Sequence, residues 1–230
     1  MTDRVRVAPA RRRGLAGEVA DRIRDAIFSG AYPPGAQLRE VELSGELDVS
    51  RGPVREALLL LEREGLVRSA WHRGATVTRF APEDIAELDS LRDVLEQLAV
   101  RRVIAHAAPE DLAAIDAAVE RMDRAGSEHE MVRCDIAFHD AVYAAARHRR
   151  LLEAWQAIRS QVHLFLLTRT GLSSADYLAH VAKEHRGLAA ALRARDTRRA
   201  LALFADHRRH AFDALSDTGD GTDGPPAYEP

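Results

Sequence analysis

Apolar positions in the first third of the chain follow helical spacing in three stretches and strand-like runs in two. Leu15, Val19, Ile23, Ala26 and Ile27 mark one face of a helix that stops at Gly30, and Pro33-Pro34-Gly35 then forces a turn. A short second helix, roughly Glu40 to Leu47, leads into Asp48-Val49-Ser50, where Ser50 is suited to N-cap the helix that follows. That third helix places Val54, Leu58 and Leu61 on one face and ends near Gly65, a C-terminal cap residue. Leu66-Val67-Arg68 and Thr76-Val77-Thr78 read as two short strands joined by the loop Ala70-Trp71-His72-Arg73-Gly74. Helix, helix, turn, helix and a two-stranded wing predict a winged helix-turn-helix over residues 15–80.

Past this point the pattern is helical throughout. Pro82 and Pro109 each stand where a first helical residue tolerates proline, opening helices of about 82–106 and 109–125. Further helices are expected over about 128–146, 150–169, 174–194 and 197–215. Short loops between them predict an all-α antiparallel bundle spanning residues 82–215, so the whole chain is mainly α. The Arg-rich residues 1–14 and the Gly, Pro, Asp and Thr of residues 216–230 lack apolar periodicity, and both ends are expected to be disordered.

Composition sharpens this division. With 230 residues, 46% hydrophobic and 30% charged, the chain is globular and long enough for two domains. The net charge of −3 hides an asymmetry: residues 1–80 hold 14 Arg against 11 acidic residues, and the remainder 19 basic against 25 acidic. A basic segment on an acidic body fits a nucleic-acid-binding module. A single cysteine, Cys134, excludes an internal disulfide and fits a reducing cytoplasm. No apolar run is long enough to span a bilayer, and the Arg-rich start lacks the apolar stretch of a signal peptide, so a soluble, cytoplasmic protein is expected.

Arg51 and Arg55 stand one helical turn apart at the start of the third helix, sharing a face. Two guanidinium forks on one face can enter one groove, where Arg reads guanine O6 and N7 through paired hydrogen bonds. The competing reading is a solvated pair, or one bonded to Glu56 or Glu62 on neighbouring turns. The order Pro34-Gly35, Leu38-Arg39-Glu40, Leu43, Val49-Ser50-Arg51, Pro53-Val54-Arg55-Glu56-Ala57-Leu58, Leu61, Glu64-Gly65-Leu66-Val67 and Arg73-Gly74 resembles the GntR family of bacterial transcription regulators. The resemblance implies that Ser50, Arg51, Gly52 and Arg55 contact operator bases or phosphates. It also implies that the wing tip His72, Arg73 and Gly74 reaches the minor groove or backbone, and Arg39 is assigned a phosphate or groove contact. Family members commonly carry Thr at the Gly52 position, and some carry a basic residue at Val41, so this operator is expected to depart from the common pattern.

In the bundle, three apolar stripes carry polar residues. Val132, Asp135, Ile136, His139 and Val142 share a face; so do Leu178, Val181, His185, Leu188 and Leu192, and Leu203, Phe204, His207 and Ala211. A lone carboxylate in such a core would cost several kcal/mol, roughly, so it needs partners. Asp135 and His139 lie one turn apart, and with His185 and His207 they can converge on one divalent ion. The donor set suits Zn²⁺, with Ni²⁺, Mn²⁺ or Fe²⁺ also compatible. Singly, each His also reads as a hydrogen-bonded core residue. Together, Asp135-x-x-Phe138-His139, Glu184-His185 and His207 resemble the FCD effector domain of the FadR subgroup of GntR regulators, which implies that all four are metal ligands. Arg92 matches a family Arg facing the effector pocket, its alternative being a surface salt bridge with Glu96. His148 stands in a loop where relatives carry an effector-contacting Asn, and is assigned to the effector site. His163, His180 and His210 receive no role and are expected to be structural or exposed.

These readings converge on a homodimeric regulator, a repressor by family default, that binds a palindromic double-stranded DNA operator. A small organic acid is the expected effector, held over the metal and by Arg92. Two alternatives are a regulator responding to metal alone and a metalloenzyme fused to a DNA-binding module. The latter lacks a general base, because Glu184, next to a ligand, is expected to face elsewhere.

Overall fold

Burial of Val19, Ala20, Ile23 and Ile27 on one face makes α1 (Gly14–Phe28) the floor of the first unit. The structure, a computed structural model, describes residues 14–70, 74–168 and 177–216. The chain divides into two units, Met1–Thr78 and Arg79–Pro230. The two expected disordered ends, apart from their innermost residues, and the wing-tip residues His72 and Arg73 lie outside the described residues.

In the first unit α1 is followed by β1 (Gln37–Leu38), α2 (Glu40–Glu46), α3 (Arg51–Arg63), β2 (Val67–Ala70) and β3 (Gly74–Val77). Val54, Ala57, Leu58 and Leu61 form the buried face of α3, which packs on α1. Each such side chain withdrawn from water stabilises the unit by about 1.5–3 kcal/mol for the larger ones. Arg24 of α1 donates from Nε and Nη2 to the two carboxylate oxygens of Glu64 at 2.8 and 2.6 Å, tying α1 to the end of α3. The turn between α2 and α3 holds Asp48 at a left-handed φ of 51°, a conformation Asp tolerates better than most residues. Gly65, at φ 73°, ends α3 in the same region without a Cβ penalty.

The sheet differs from the expected two-stranded wing: it has three antiparallel strands in the order β1-β3-β2. The Pro33-Pro34-Gly35 turn returns the chain to β3, where Gly35 N donates to Val77 O and Val77 N donates to Ala36 O, both at 2.9 Å. Gln37 then pairs with Thr76, and the buried Leu38 with Ala75. A two-residue strand has no periodicity to read, so only its partner reveals it.

The second unit is a helical bundle of α4 (Pro82–His106), α5 (Pro109–Met122), α6 (Glu128–Ala145), α7 (Arg149–Thr168), α8 (Tyr177–Arg193) and α9 (Thr197–Ser216). Its helix starts are built from local chemistry. Asp84 and Asp111 accept from the backbone N of Ala81 and Ala108 behind the leading prolines, and Ser127 caps α6 by accepting from Glu130 N. Phe138, Tyr143, Trp155 and Phe204 fill the core, with Tyr143 and Trp155 stacked at 4.6 Å. α6 lies against α4, α5 and α7, and α8 lies against α5 and α9. That central position sets Asp135 and His139 of α6 in the interior.

Candidate DNA-reading surface and metal centre

Helix α3 begins at Arg51 with Ser50 at its N-cap position in extended backbone, although the Ser50 side chain makes no cap hydrogen bond. Ser50, Arg51, Gly52 and Arg55 are all exposed at this end of α3, so the structure brings the sequence-assigned residues onto one surface. A Cβ at Gly52 would meet nothing within 4 Å. Arg55 donates from Nε and Nη2 to Glu40 Oε1 and Oε2 at 2.9 and 2.8 Å, and Arg51 Nη2 reaches Glu40 Oε2 at 3.5 Å. The partner of both arginines is therefore Glu40 of α2, not Glu56 or Glu62; Glu62 instead accepts from Ser69 N. Hydrogen bonding from Arg55 holds the Glu40 carboxyl below its ordinary range. Arg39, also exposed, pairs with Glu42 at 2.8 Å. Gly74 opens β3 at φ 75°, left-handed backbone that favours glycine.

The bundle brings together the four residues expected to converge. Asp135, His139, His185 and His207 are all buried, and one donor atom from each lies within 4.8 Å of the others. His139 Nε2 and His185 Nε2 each stand 3.5 Å from an oxygen of Asp135. The rings of His185 and His207 meet edge to face at 4.5 Å.

Hydrogen bonds around the cluster orient its donors. His185 Nδ1 donates to Val181 O at 2.8 Å, which leaves Nε2 as a buried lone pair with no hydrogen-bond partner. His207 Nδ1 donates to Glu184 Oε2 at 3.1 Å. Both arrangements are those of metal-ligating imidazoles, whose second nitrogen is anchored by a carbonyl or carboxylate. Asp135 Oδ1 is likewise buried without a hydrogen-bond partner. Burial lowers His185 to about 4, and burial together with the Arg92 charge holds His139 well below its ordinary range, so both imidazoles are neutral near pH 7. Two orphaned buried donors and neutral imidazoles fit a divalent cation. One feature opposes ligation: Arg92 Nη2 donates to His139 Nε2 at 2.8 Å, and a lone pair cannot serve a guanidinium and a cation together.

Arg92 is thus at the cluster, and its pairing with Glu96, at 3.2 Å, is buried rather than on the surface. Glu96 also lies 3.2 Å from His139 Nδ1, off the hydrogen-bond direction, and accepts from Arg208 Nη1 at 3.2 Å. Arg208, itself buried, pairs with the half-buried Asp89 and Asp93 at 3.0 and 2.6 Å and completes an ionic network that sequence reading missed. A cleft of about 280 Å³ is lined by Asp93, Glu96, Gln97, Leu201, Phe204 and Arg208. Arg92 itself lines a recess of only about 10 Å³, room for about one water. His148 is half-buried at the start of α7, where its Nδ1 accepts from Leu151 N at 3.1 Å.

Glu184 corrects a further expectation. It does not face away but supports His207, and its other oxygen faces His180 and His210. Burial alone would raise its carboxyl, yet hydrogen bonds from His207 and His210 outweigh this and bring it down to about 2. The spacing of Glu184 beside His185 gave no sign of this, because the partner comes from α9.

Residues 79–210 match the FCD domain, and residues 15–77 match the bacterial regulatory proteins of the gntR family. The chain is 31% identical over 212 residues to the probable D-xylose utilization operon transcriptional repressor of Paenarthrobacter nicotinovorans, covering 91% of this chain and 92% of that protein. It is also 31% identical over 171 residues to the uncharacterized regulator YdhC of Bacillus subtilis, covering 72% of this chain and 75% of YdhC. Among solved structures, a GntR regulator from Rhodococcus sp. RHA1 superposes with a TM-score of 0.77 at 27% identity, covering 87% of this chain and 97% of that one. E. coli McbR/YncC gives the same TM-score at 24% identity, covering 89% and 98%, a likeness of fold. These relatives are transcription regulators rather than enzymes, which removes the metalloenzyme reading. With the FCD match covering more than half of its residues, the chain belongs to the GntR family of DNA-binding transcription regulators and carries an FCD domain.

Proposed function

We propose that this protein is a cytoplasmic, homodimeric repressor whose affinity for a palindromic operator is set by a divalent metal and a small organic acid in the helical unit. Convergence of Asp135, His139, His185 and His207, with His185 Nε2 and Asp135 Oδ1 buried and lacking hydrogen-bond partners, is the observation that carries the metal. Zn²⁺ is the preferred ion for three imidazoles and a carboxylate, and when bound it offers an open position to an anion. Ser50, Arg51, Gly52 and Arg55, with Arg39 and the wing tip, form the operator-reading surface.

Arg92 links metal to effector. Ligation by His139 Nε2 and the Arg92 hydrogen bond exclude each other, so a bound cation displaces the guanidinium and leaves it to pair with a carboxylate. The small recess at Arg92 has to open for this, which makes acid binding a conformational event that can bias the dimer. His148, before α7, is the second effector contact in this reading. A homodimer is supported by α4, where Leu91, Val94 and Leu98 are 47, 65 and 40% exposed at helical spacing.

The test is operator binding by metal-stripped protein, on a sequence selected from random DNA, as Zn²⁺ and then a panel of metabolite acids are added. Affinity should shift when an acid is added to metal-loaded protein and not to stripped protein. A shift complete with Zn²⁺ alone would support the second reading, a purely metal-responsive regulator. No shift with either would overturn both.

A further inference from the structure

The two oxygens of Glu184 face different surroundings. Oε2 accepts from the buried His207, whereas Oε1 lies 3.2 Å from His180 Nε2 and accepts from His210 Nδ1 at 2.7 Å, a hydrogen bond that a cation between them has to replace. His180 stands one turn before Glu184 on α8, and His210 stands on α9, one turn after His207. One donor from each of His180, Glu184 and His210 lies within 4.8 Å of the others, and the two rings are 6.3 Å apart. The His180 and His210 side chains are 63 and 58% exposed, while Glu184 is 20% exposed.

We propose that His180, Glu184 and His210 form a second, solvent-facing divalent-cation site, joined to the buried centre through the Glu184 carboxylate. The linkage rests on the metal reading given above; the surface site stands on its own three donors. Two imidazoles and one carboxylate are the donor set of borderline divalent ions such as Zn²⁺ and Co²⁺, and they leave open positions for water. The donors of a tetrahedral ion with bonds of about 2.1 Å lie about 3.4 Å apart, so a cation here replaces the proton that His210 Nδ1 donates to Oε1 and moves the two donors slightly apart. The donors come from two helices that pack directly together, so their approach is fixed by the fold. Because only Oε1 is committed to the surface, Oε2 keeps its hydrogen bond from His207. One carboxylate then supports a buried ligand on one side and ligates a cation on the other.

The experiment is Zn²⁺ binding by equilibrium dialysis on stripped full-length protein, with melting curves to confirm that each variant is folded. Wild type should take up two equivalents, His180→Ala/His210→Ala one, and Asp135→Ala one. Glu184→Gln should lose the surface equivalent and weaken the buried one by about 10- to 100-fold. One equivalent in wild type, kept by the double variant and lost in Asp135→Ala, would overturn the surface site and leave the buried one standing. One equivalent kept by Asp135→Ala and lost in the double variant would support the surface site and overturn the buried one. No uptake by wild type overturns both, and undiminished buried affinity in Glu184→Gln overturns the linkage.

Discussion

Arg55 donates to both oxygens of Glu40, a residue fifteen positions earlier on another helix. Such an exposed pair adds little to stability, since solvent screens it and two long side chains must be ordered. Its effect is on presentation: the guanidinium is aimed before DNA arrives. Arg55→Ala should lower affinity for a selected operator by about ten- to hundredfold and leave affinity for random DNA nearly unchanged. Equal losses on both DNAs would remove the base-reading role. At the buried cluster, Arg92 competes with a cation for His139 Nε2. Arg92→Met should therefore raise Zn²⁺ affinity, read by competition with a chelator, while abolishing the response to acids. The fold should survive, because Glu96 keeps Arg208 as a partner. Unchanged or weaker Zn²⁺ binding would refute this competition. The reading arginines and the four candidate ligands were legible as residues on helical faces. Glu40 and Arg208 were not, because each acts on a residue from another helix, and Glu96 was read only as a surface partner of Arg92 because its burial depends on packing.

Helix α4 shows what an element reveals and conceals. Its start at Pro82 and its end at His106 are written in the sequence, as proline preorganises the first turn and Pro109 opens the next helix. Its apolar residues, however, lie on more than one side. Ala99, Val100 and Val103 enter the core, while Leu91, Val94 and Leu98 face outward. If the outward stripe is the dimer contact, Val94→Asp should yield a monomer in sedimentation analysis with a melting temperature close to wild type. It should also bind a palindromic operator at least tenfold less tightly, roughly, because two half-sites are no longer engaged together. A dimer unaffected by the substitution would place the contact elsewhere. Strand β1 is the opposite case: two residues between a turn and a helix, visible only through pairing with β3. Local signals such as capping, prolines and apolar period place the helices, whereas β1 depends on a distant partner.

Across the whole molecule, buried neutral imidazoles make stability depend on pH. Burial lowers His163 from 6.5 to about 3, with the Arg159 charge adding to it. Between these values the unfolded chain binds the extra proton, so stability rises with pH across this window and is lost as pH falls from about 6.5 towards 3. The loss from this one group approaches a slope of about 1.4 kcal/mol per pH unit. Denaturant unfolding of stripped protein at several pH values should show it, and His163→Leu should flatten the curve by about that slope; an unaltered slope in the variant would rule His163 out as the source. The succession of a winged helix-turn-helix and a helical bundle, with a polar residue on each of three core stripes, follows from residue order alone, because helix periodicity and capping act over a few neighbours. Tertiary packing decides that Glu40 holds Arg51 and Arg55, that Arg92 occupies His139, and that Glu184 faces two sites, because these contacts join residues from different helices.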